Sequence, residues 1–157
     1  MSGPRFNHCE LEGVTRGRWI GTAPRDVEGV GIDTRRFPEG ALFVAIRGDR
    51  FDGHDFLEAA AQAGAAAAVV SEARAVALPA PPLPLLAVPD TVAALGSLAR
   101  FHRLRFDIPV VGVTGTNGKT TTREMIAAIL GRRGPTLKND GNLNNEIGVP
   151  LTLFGLD

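Results

Sequence analysis

Residues 108–130 constrain this chain more than any other segment. Ile108 to Val113 is an apolar run that predicts a strand, and Arg123 to Leu130 predicts a helix ending near Gly131. Between them lies Thr114-Gly115-Thr116-Asn117-Gly118-Lys119-Thr120-Thr121-Thr122. A strand, a Gly-rich turn, Gly-Lys-Thr and a helix, in that order, form the setting of a phosphate-binding P-loop. Gly115 and Gly118 permit backbone angles and a close approach that a side chain would block. The loop amides and the helix N-terminus then favour an anion. Lys119 has the reach for β- and γ-phosphates, and Thr120 offers a hydroxyl to Mg²⁺. The spacing departs from the standard pattern: Val113 stands where a glycine is usual, with Gly112 one residue further out. The plain alternative is a βα turn that binds nothing, but Lys119-Thr120 has no evident packing role at a helix start. The expected ligand is ATP with Mg²⁺.

The 157 residues suffice for about one average domain or two small ones. Seventeen Lys+Arg balance seventeen Asp+Glu, which argues against nucleic-acid binding through bulk charge. Hydrophobic residues at 44% and charged residues at 22% fit a globular chain rather than a disordered one. The single cysteine, Cys9, excludes an internal disulfide framework and a cysteine-only metal site. The amino-terminal residues have no apolar signal region, and no run approaches the roughly 20 apolar residues of a membrane span. The expectation is a soluble, cytoplasmic protein, with a monomer favoured.

Upstream of residue 108 the pattern is that of a small α/β unit. Trp19-Ile20 and Val27–Val30 suggest short strands, and Pro38-Glu39-Gly40 suggests a turn. Ala41–Ile46, Ala65–Val70 and Leu85–Val88 are apolar runs that read as buried strands. Asp55 is the expected cap of a helix over 56–63, with Gly64 as its stop. The prolines at 79, 81, 82 and 84 exclude helix there and suggest a stiff surface connection. Asp90 is the expected cap of a helix reaching about Arg105, with Val92, Leu95, Ala99 and His102 at helical spacing. A boundary near 106–109 therefore separates residues 1–107 from residues 108–157, where a second α/β unit begins. His54, flanked by Asp52 and Asp55, reads as a loop hydrogen-bonding residue, because no second His or Cys lies at metal-ligand spacing.

Three ordered segments resemble the Mur ligase family. Thr114–Thr121 is similar to its ATP loop. Asp33-Thr34-Arg35, Gly40–Ala45, Gly48, Phe51-Asp52-Gly53-His54 and Phe56 are similar to its amino-terminal nucleotide-sugar domain. Residues 139–153, including Asn142, Asn144 and Asn145, most resemble the members that add the last peptide component. The resemblance implies a small α/β UDP-substrate domain over 1–107, followed by the start of a P-loop α/β ATPase domain over 108–157. It implies an ATP-dependent ligase of peptidoglycan synthesis that joins D-alanyl-D-alanine to UDP-MurNAc-tripeptide through an acyl phosphate. The alternatives are a member that adds the third residue, or a non-catalytic UDP-sugar or nucleotide-binding module.

By the same resemblance, Gly115, Thr116, Asn117, Gly118, Lys119, Thr120 and Thr121 bind ATP, with Lys119 and Thr120 in the catalytic machinery and Thr120 near Mg²⁺. Ile32, Thr34, Arg35, Asp49, Arg50, Phe51, Asn142, Asn144 and Asn145 fall on the UDP-substrate side. Arg35 could instead form an ion pair with Asp33 or Glu39, Phe51 could be core, and the asparagines could be turn and cap residues. The family's central domain also carries a glutamate, a histidine and a carbamylated lysine near its metals, and a further domain follows it. Nothing in this sequence matches them, so the resemblance implies the amino-terminal part of such a ligase, inactive alone.

Overall fold

The computed structural model describes residues 3–78, 80–141 and 143–157. Its strands, in chain order, are β1 (Arg5–Asn7), β2 (Arg18–Ile20), β3 (Asp26–Glu28), β4 (Val30–Gly31), β5 (Leu42–Val44), β6 (Ala67–Ser71) and β7 (Leu85–Val88). The α-helices are α1 (His8–Thr15), α2 (Leu57–Gln62), α3 (Glu72–Val76), α4 (Thr91–Arg103), α5 (Lys119–Leu130) and α6 (Gly148–Leu153).

The main sheet has the order β2-β7-β6-β5-β4. Strands β4, β5, β6 and β7 are mutually parallel, and β2 closes one edge antiparallel, with Trp19 opposite Leu86. A separate antiparallel pair, β1 with β3, sets Phe6 opposite Val27. The central strands are apolar at every position but Ser71 because helices cover both faces, as a parallel sheet requires. Alternate residues divide between two cores. Leu42, Val44, Ala67, Val69, Leu86 and Val88 join Phe6, Leu11, Leu95, Leu98 and Phe154 on one face. Phe43, Ala45, Ala68, Val70, Leu85 and Ala87 join Leu57, Ala60 and Ala75 on the other.

Local chemistry fixes the helix starts. Asn7 and Glu10 form a reciprocal cap on α1: Asn7 Oδ1 accepts from the Glu10 amide at 2.9 Å, and Glu10 Oε2 accepts from the Asn7 amide at 3.0 Å. Asp90 caps α4 as expected, accepting from the Val92 and Ala93 amides at 2.8 and 3.0 Å. The helix expected over 56–63 differs. Asp52, not Asp55, is the capping residue, and it starts a 3₁₀ turn over Gly53–Phe56 that feeds α2. Asp52 prevails because its carboxylate also engages His54, whereas Asp55 turns outward to Arg74. Helix α3 leaves no mark in the sequence, its five residues being too few for a periodic signal.

The strand expected over 108–113 does not form. These residues are largely exposed coil, and no described segment lies beside them to complete a ladder. A parallel strand exists only through its neighbours, so apolar content alone does not create one. Downstream, α6 folds back against α4 and inserts Phe154 beside Phe6, with ring centroids 6.4 Å apart at 87°.

Candidate functional site

Because β4 to β7 run parallel, their carboxyl ends share one edge of the sheet. In open α/β sheets this is the edge outside which ligands bind. The segment 32–36 leaves β4 there, and the loop before the 3₁₀ turn at Gly53 leaves β5. The topology thus brings Ile32, Thr34 and Arg35 to the same edge as Asp49, Arg50 and Phe51.

Ile32 is half-buried against the core. Asp33 caps the 3₁₀ turn Thr34–Arg36 by accepting from the Arg35 amide at 3.1 Å. The Arg35 side chain closes on the same carboxylate, with Nε to Oδ1 at 2.8 Å and Nη2 to Oδ2 at 2.5 Å. These hydrogen bonds from the guanidinium and the backbone amide hold the Asp33 carboxyl down to about 2. Arg35 therefore makes the ion pair weighed in the sequence, on an exposed turn.

The loop after β5 is tightly drawn. The Gly53 amide donates to Ile46 O at 2.8 Å, the Gly48 amide donates to Phe51 O at 2.9 Å, and Arg47 and Asp52 form a β-bridge. Asp49, Arg50 and Phe51 stand exposed at the tip. Phe51 is 72% exposed, so it is not a core residue, and it meets Phe56 edge-on at 6.5 Å.

Behind this tip sits His54, which is buried. Its Nδ1 lies 2.5 Å from Asp52 Oδ1, and its Nε2 accepts from the Ser71 amide at 2.9 Å. A nitrogen that accepts from an N–H carries no proton, so the ring is neutral and its Nδ1–H donates to Asp52. Burial opposes ionisation of Asp52, but hydrogen bonds from the His54 side chain and amide, with the nearby Arg74 charge, outweigh it. The Asp52 carboxyl sits below its ordinary value. The Ser71 partnership, 17 residues away and made by a backbone amide, left no signal in the sequence.

The phosphate loop is open. Gly118 takes φ +76° and leads directly into α5 at Lys119. No side chain caps this helix, and a helix N-terminus leaves its first amides without intrahelical partners. Lys119 Nζ turns back to donate to Gly115 O at 2.6 Å, and Thr116, Asn117, Gly118, Thr120 and Thr121 are exposed. An uncapped helix start with a lysine and a hydroxyl fits an anion such as a nucleotide phosphate. Among the described residues no cluster of three or more His, Cys, Asp or Glu side chains forms a metal site, leaving the Thr120 hydroxyl as the Mg²⁺ contact expected from the sequence.

The asparagine segment divides. Asn142 lies outside the described residues. Asn145 acts as a cap, its Oδ1 accepting from the Ile147 and Gly148 amides at 3.3 and 2.7 Å. Asn144 is exposed. Among the described residues no hydrogen bond or ion pair joins the phosphate loop to the 32–35 or 49–51 segments. A further feature had no sequence signal. Arg103 donates to the carbonyls of Phe106 and Ile108, both at 2.7 Å, and so fixes how the chain leaves α4 toward the phosphate loop.

Residues 26–103 match the model for the Mur ligase family, catalytic domain, and residues 113–157 match the Mur ligase middle domain. The UDP-N-acetylmuramoyl-tripeptide–D-alanyl-D-alanine ligase of Escherichia coli (strain K12) is 47% identical over 130 residues, covering 83% of this chain and 28% of the relative. The ligase of the same name from Haemophilus influenzae is 38% identical over 156 residues, covering 97% of this chain and 33% of the relative. The crystal structure of MurF from Acinetobacter baumannii superposes with a TM-score of 0.87 at 34% identity, over all of this chain and 34% of that one. MurF from Thermotoga maritima in complex with ADP gives 0.66 at 36% identity, over 80% of this chain and 28% of that one. The chain thus spans about a third of the length of these relatives.

Proposed function

The chain belongs to the Mur ligase family, and from that premise we propose that it carries the UDP-substrate and ATP-phosphate segments of a ligase joining D-alanyl-D-alanine to UDP-MurNAc-tripeptide. Residues 1–107 form the UDP-substrate unit, and residues 108–157 open the ATP unit. What supports this division is that the two family matches end at 103 and resume at 113. The reading also rests on relatives named for this reaction at up to 47% identity.

The observation that carries the ATP assignment is the uncapped start of α5. Gly118 in the left-handed region presents the helix amides, and Lys119 stands one residue further on. In the proposed reaction the tripeptide carboxylate attacks the γ-phosphorus, ADP leaves, and an acyl phosphate forms. The amine of D-alanyl-D-alanine then attacks the acyl carbon and releases inorganic phosphate. Lys119 exchanges its bond to Gly115 O for the outer phosphates, and the α5 amides hold the remaining oxygens. Mg²⁺, with the Thr120 hydroxyl as one ligand, would neutralise phosphate charge. Arg35 and Arg50, at the carboxyl edge of the sheet, orient the UDP diphosphate; Arg35 must exchange its Asp33 partner to do so. Positioning supplies most of the chemistry.

Calorimetric titration of the chain with ADP–Mg²⁺ and, separately, with UDP-MurNAc-tripeptide tests the assignment. Lys119→Ala should weaken ADP binding by about tenfold or more, the order of one lost charge-assisted hydrogen bond, and leave UDP-substrate binding within error. Arg50→Ala should do the reverse. Equal loss of both ligands in Lys119→Ala would show that the two units are misassigned.

A further inference from the structure

Among the described residues, His54 is the one buried titratable side chain near the candidate UDP edge that the proposed reaction does not use. It sits two residues after Asp52, with its side chain turned away from solvent. Yet both of its ring nitrogens are committed, and to different elements. Nδ1–H holds Asp52, whose Oδ1 also accepts from the His54 amide at 3.0 Å to start the 3₁₀ turn. Nε2 holds the Ser71 amide at the carboxyl end of β6. Arg74 on α3 adds contacts to Asp52, at 3.9 Å, and to Asp55. On the other side of the turn, Gly53 is fixed to Ile46 O. The exposed tip Asp49-Arg50-Phe51 is therefore suspended between β5, through Gly53, and β6, through the imidazole.

We infer that His54 is a positioning residue: its neutral, doubly bonded imidazole ties the 48–53 loop to β6 and so presets Arg50 and Phe51 for a uridine diphosphate ligand. This rests on the proposed UDP assignment of that edge. A loop held in its binding conformation loses less entropy when ligand arrives, and this is the affinity His54 supplies. A residue that only filled space would be replaceable by any side chain of similar volume. Here the accepting nitrogen at Nε2 is what matters.

The test titrates the chain with UDP-N-acetylglucosamine, which carries the uridine diphosphate and lacks the muramoyl peptide. His54→Leu keeps the apolar volume and removes both bonds; His54→Gln keeps an acceptor within reach of the Ser71 amide. The expected result is about a tenfold loss of affinity in His54→Leu and recovery of most of it in His54→Gln. Amide exchange should speed up at Gly48, Gly53 and Ser71 in His54→Leu, with ADP binding unchanged. Wild-type affinity in His54→Leu, with Arg50→Ala still weakening binding, would overturn the positioning role and leave the UDP reading standing. Failure of the wild-type chain to bind the ligand would overturn that reading and the inference with it. If His54→Leu does not fold, nitrogen NMR of the wild-type imidazole decides: an unprotonated Nε2 in the free and ligand-bound protein is required, and a protonated one refutes the tie.

Discussion

Two glycines show how differently a single atom weighs at two sites of one fold. A Cβ on Gly53 would lie 2.6 Å from Ile46 N and 2.8 Å from Ile46 O, both backbone atoms that cannot swing aside. A Cβ on Gly118 would meet nothing within 4 Å, but the residue holds φ +76°, where other side chains are strained. Gly53→Ala should therefore destabilise the folded chain by about 1–3 kcal/mol through forced backbone movement, seen as a lower urea midpoint. Gly118→Ala has only backbone strain to relieve, about 1–2 kcal/mol, and sits in an exposed loop. Its global midpoint should stay close to wild type while ADP affinity falls. A Gly118→Ala midpoint loss as large as that of Gly53→Ala would mean that the phosphate loop is packed rather than open. The sequence marked both glycines for the company they keep, Gly-Lys-Thr in one case and Asp-Gly-His in the other. It could not say that one is required by sterics and the other by φ, since that depends on where β5 lies.

The central strands were legible in the sequence because their burial is complete or nearly so. Leu42–Val44, Ala67–Ser71 and Leu85–Val88 lie within or nearly within the predicted apolar runs, because a strand covered on both faces carries no polar alternation. The run at 108–113 has the same composition but lies in no sheet, which shows that the apolar signal reports a capacity for burial and not its partner. Helices α1 and α3, of eight and five residues, are too short to display a periodic face. In α4 the helical spacing of His102 was legible and its environment was not. His102 is buried among Phe6, Phe106 and Phe154; its Nε2 pairs with Leu156 O at 3.0 Å, and its Nδ1 has no partner. Burial pushes its pKa below the ordinary 6.5, with a smaller contribution from the Arg105 charge. The unfolded chain then binds the proton more readily than the folded one, so stability falls as pH drops below about 6.5 and through the folded pKa. His102→Gln should flatten that part of the stability–pH curve measured by urea unfolding. An unchanged slope between pH 7 and pH 5 would assign the acid sensitivity elsewhere.

At the scale of the whole molecule, stability is divided unevenly along the chain, and the division does not follow the order of the sequence. Helix α5 contains no buried residue, and Met125 and Ile129 on it are 61% and 63% exposed. Val110 and Val111, in the segment leading to the phosphate loop, are exposed as well. Yet α6, later in the chain, returns to the first unit, where Phe154 is buried against Phe6 and Leu156 O meets His102. The span 108–141 is thus an excursion between two anchored points, held at its base by Arg103 and braced by the Glu124 pairs with Lys138 and Arg123. Ion pairs of that kind at a solvent-exposed carboxylate contribute little and cannot substitute for a core. Local opening of α5 should therefore cost far less than global unfolding. In hydrogen exchange followed by mass spectrometry, α5 should exchange roughly a hundredfold or more faster than β6, β7 and α4. Segment 147–156 should be protected almost as well as α4, although it comes later in the chain. An apolar face of α5, with Met125 and Ile129, lacks cover from any described segment of this chain. Protection of α5 equal to that of α4 in this chain would show that the phosphate-loop unit is stable by itself and needs no such cover.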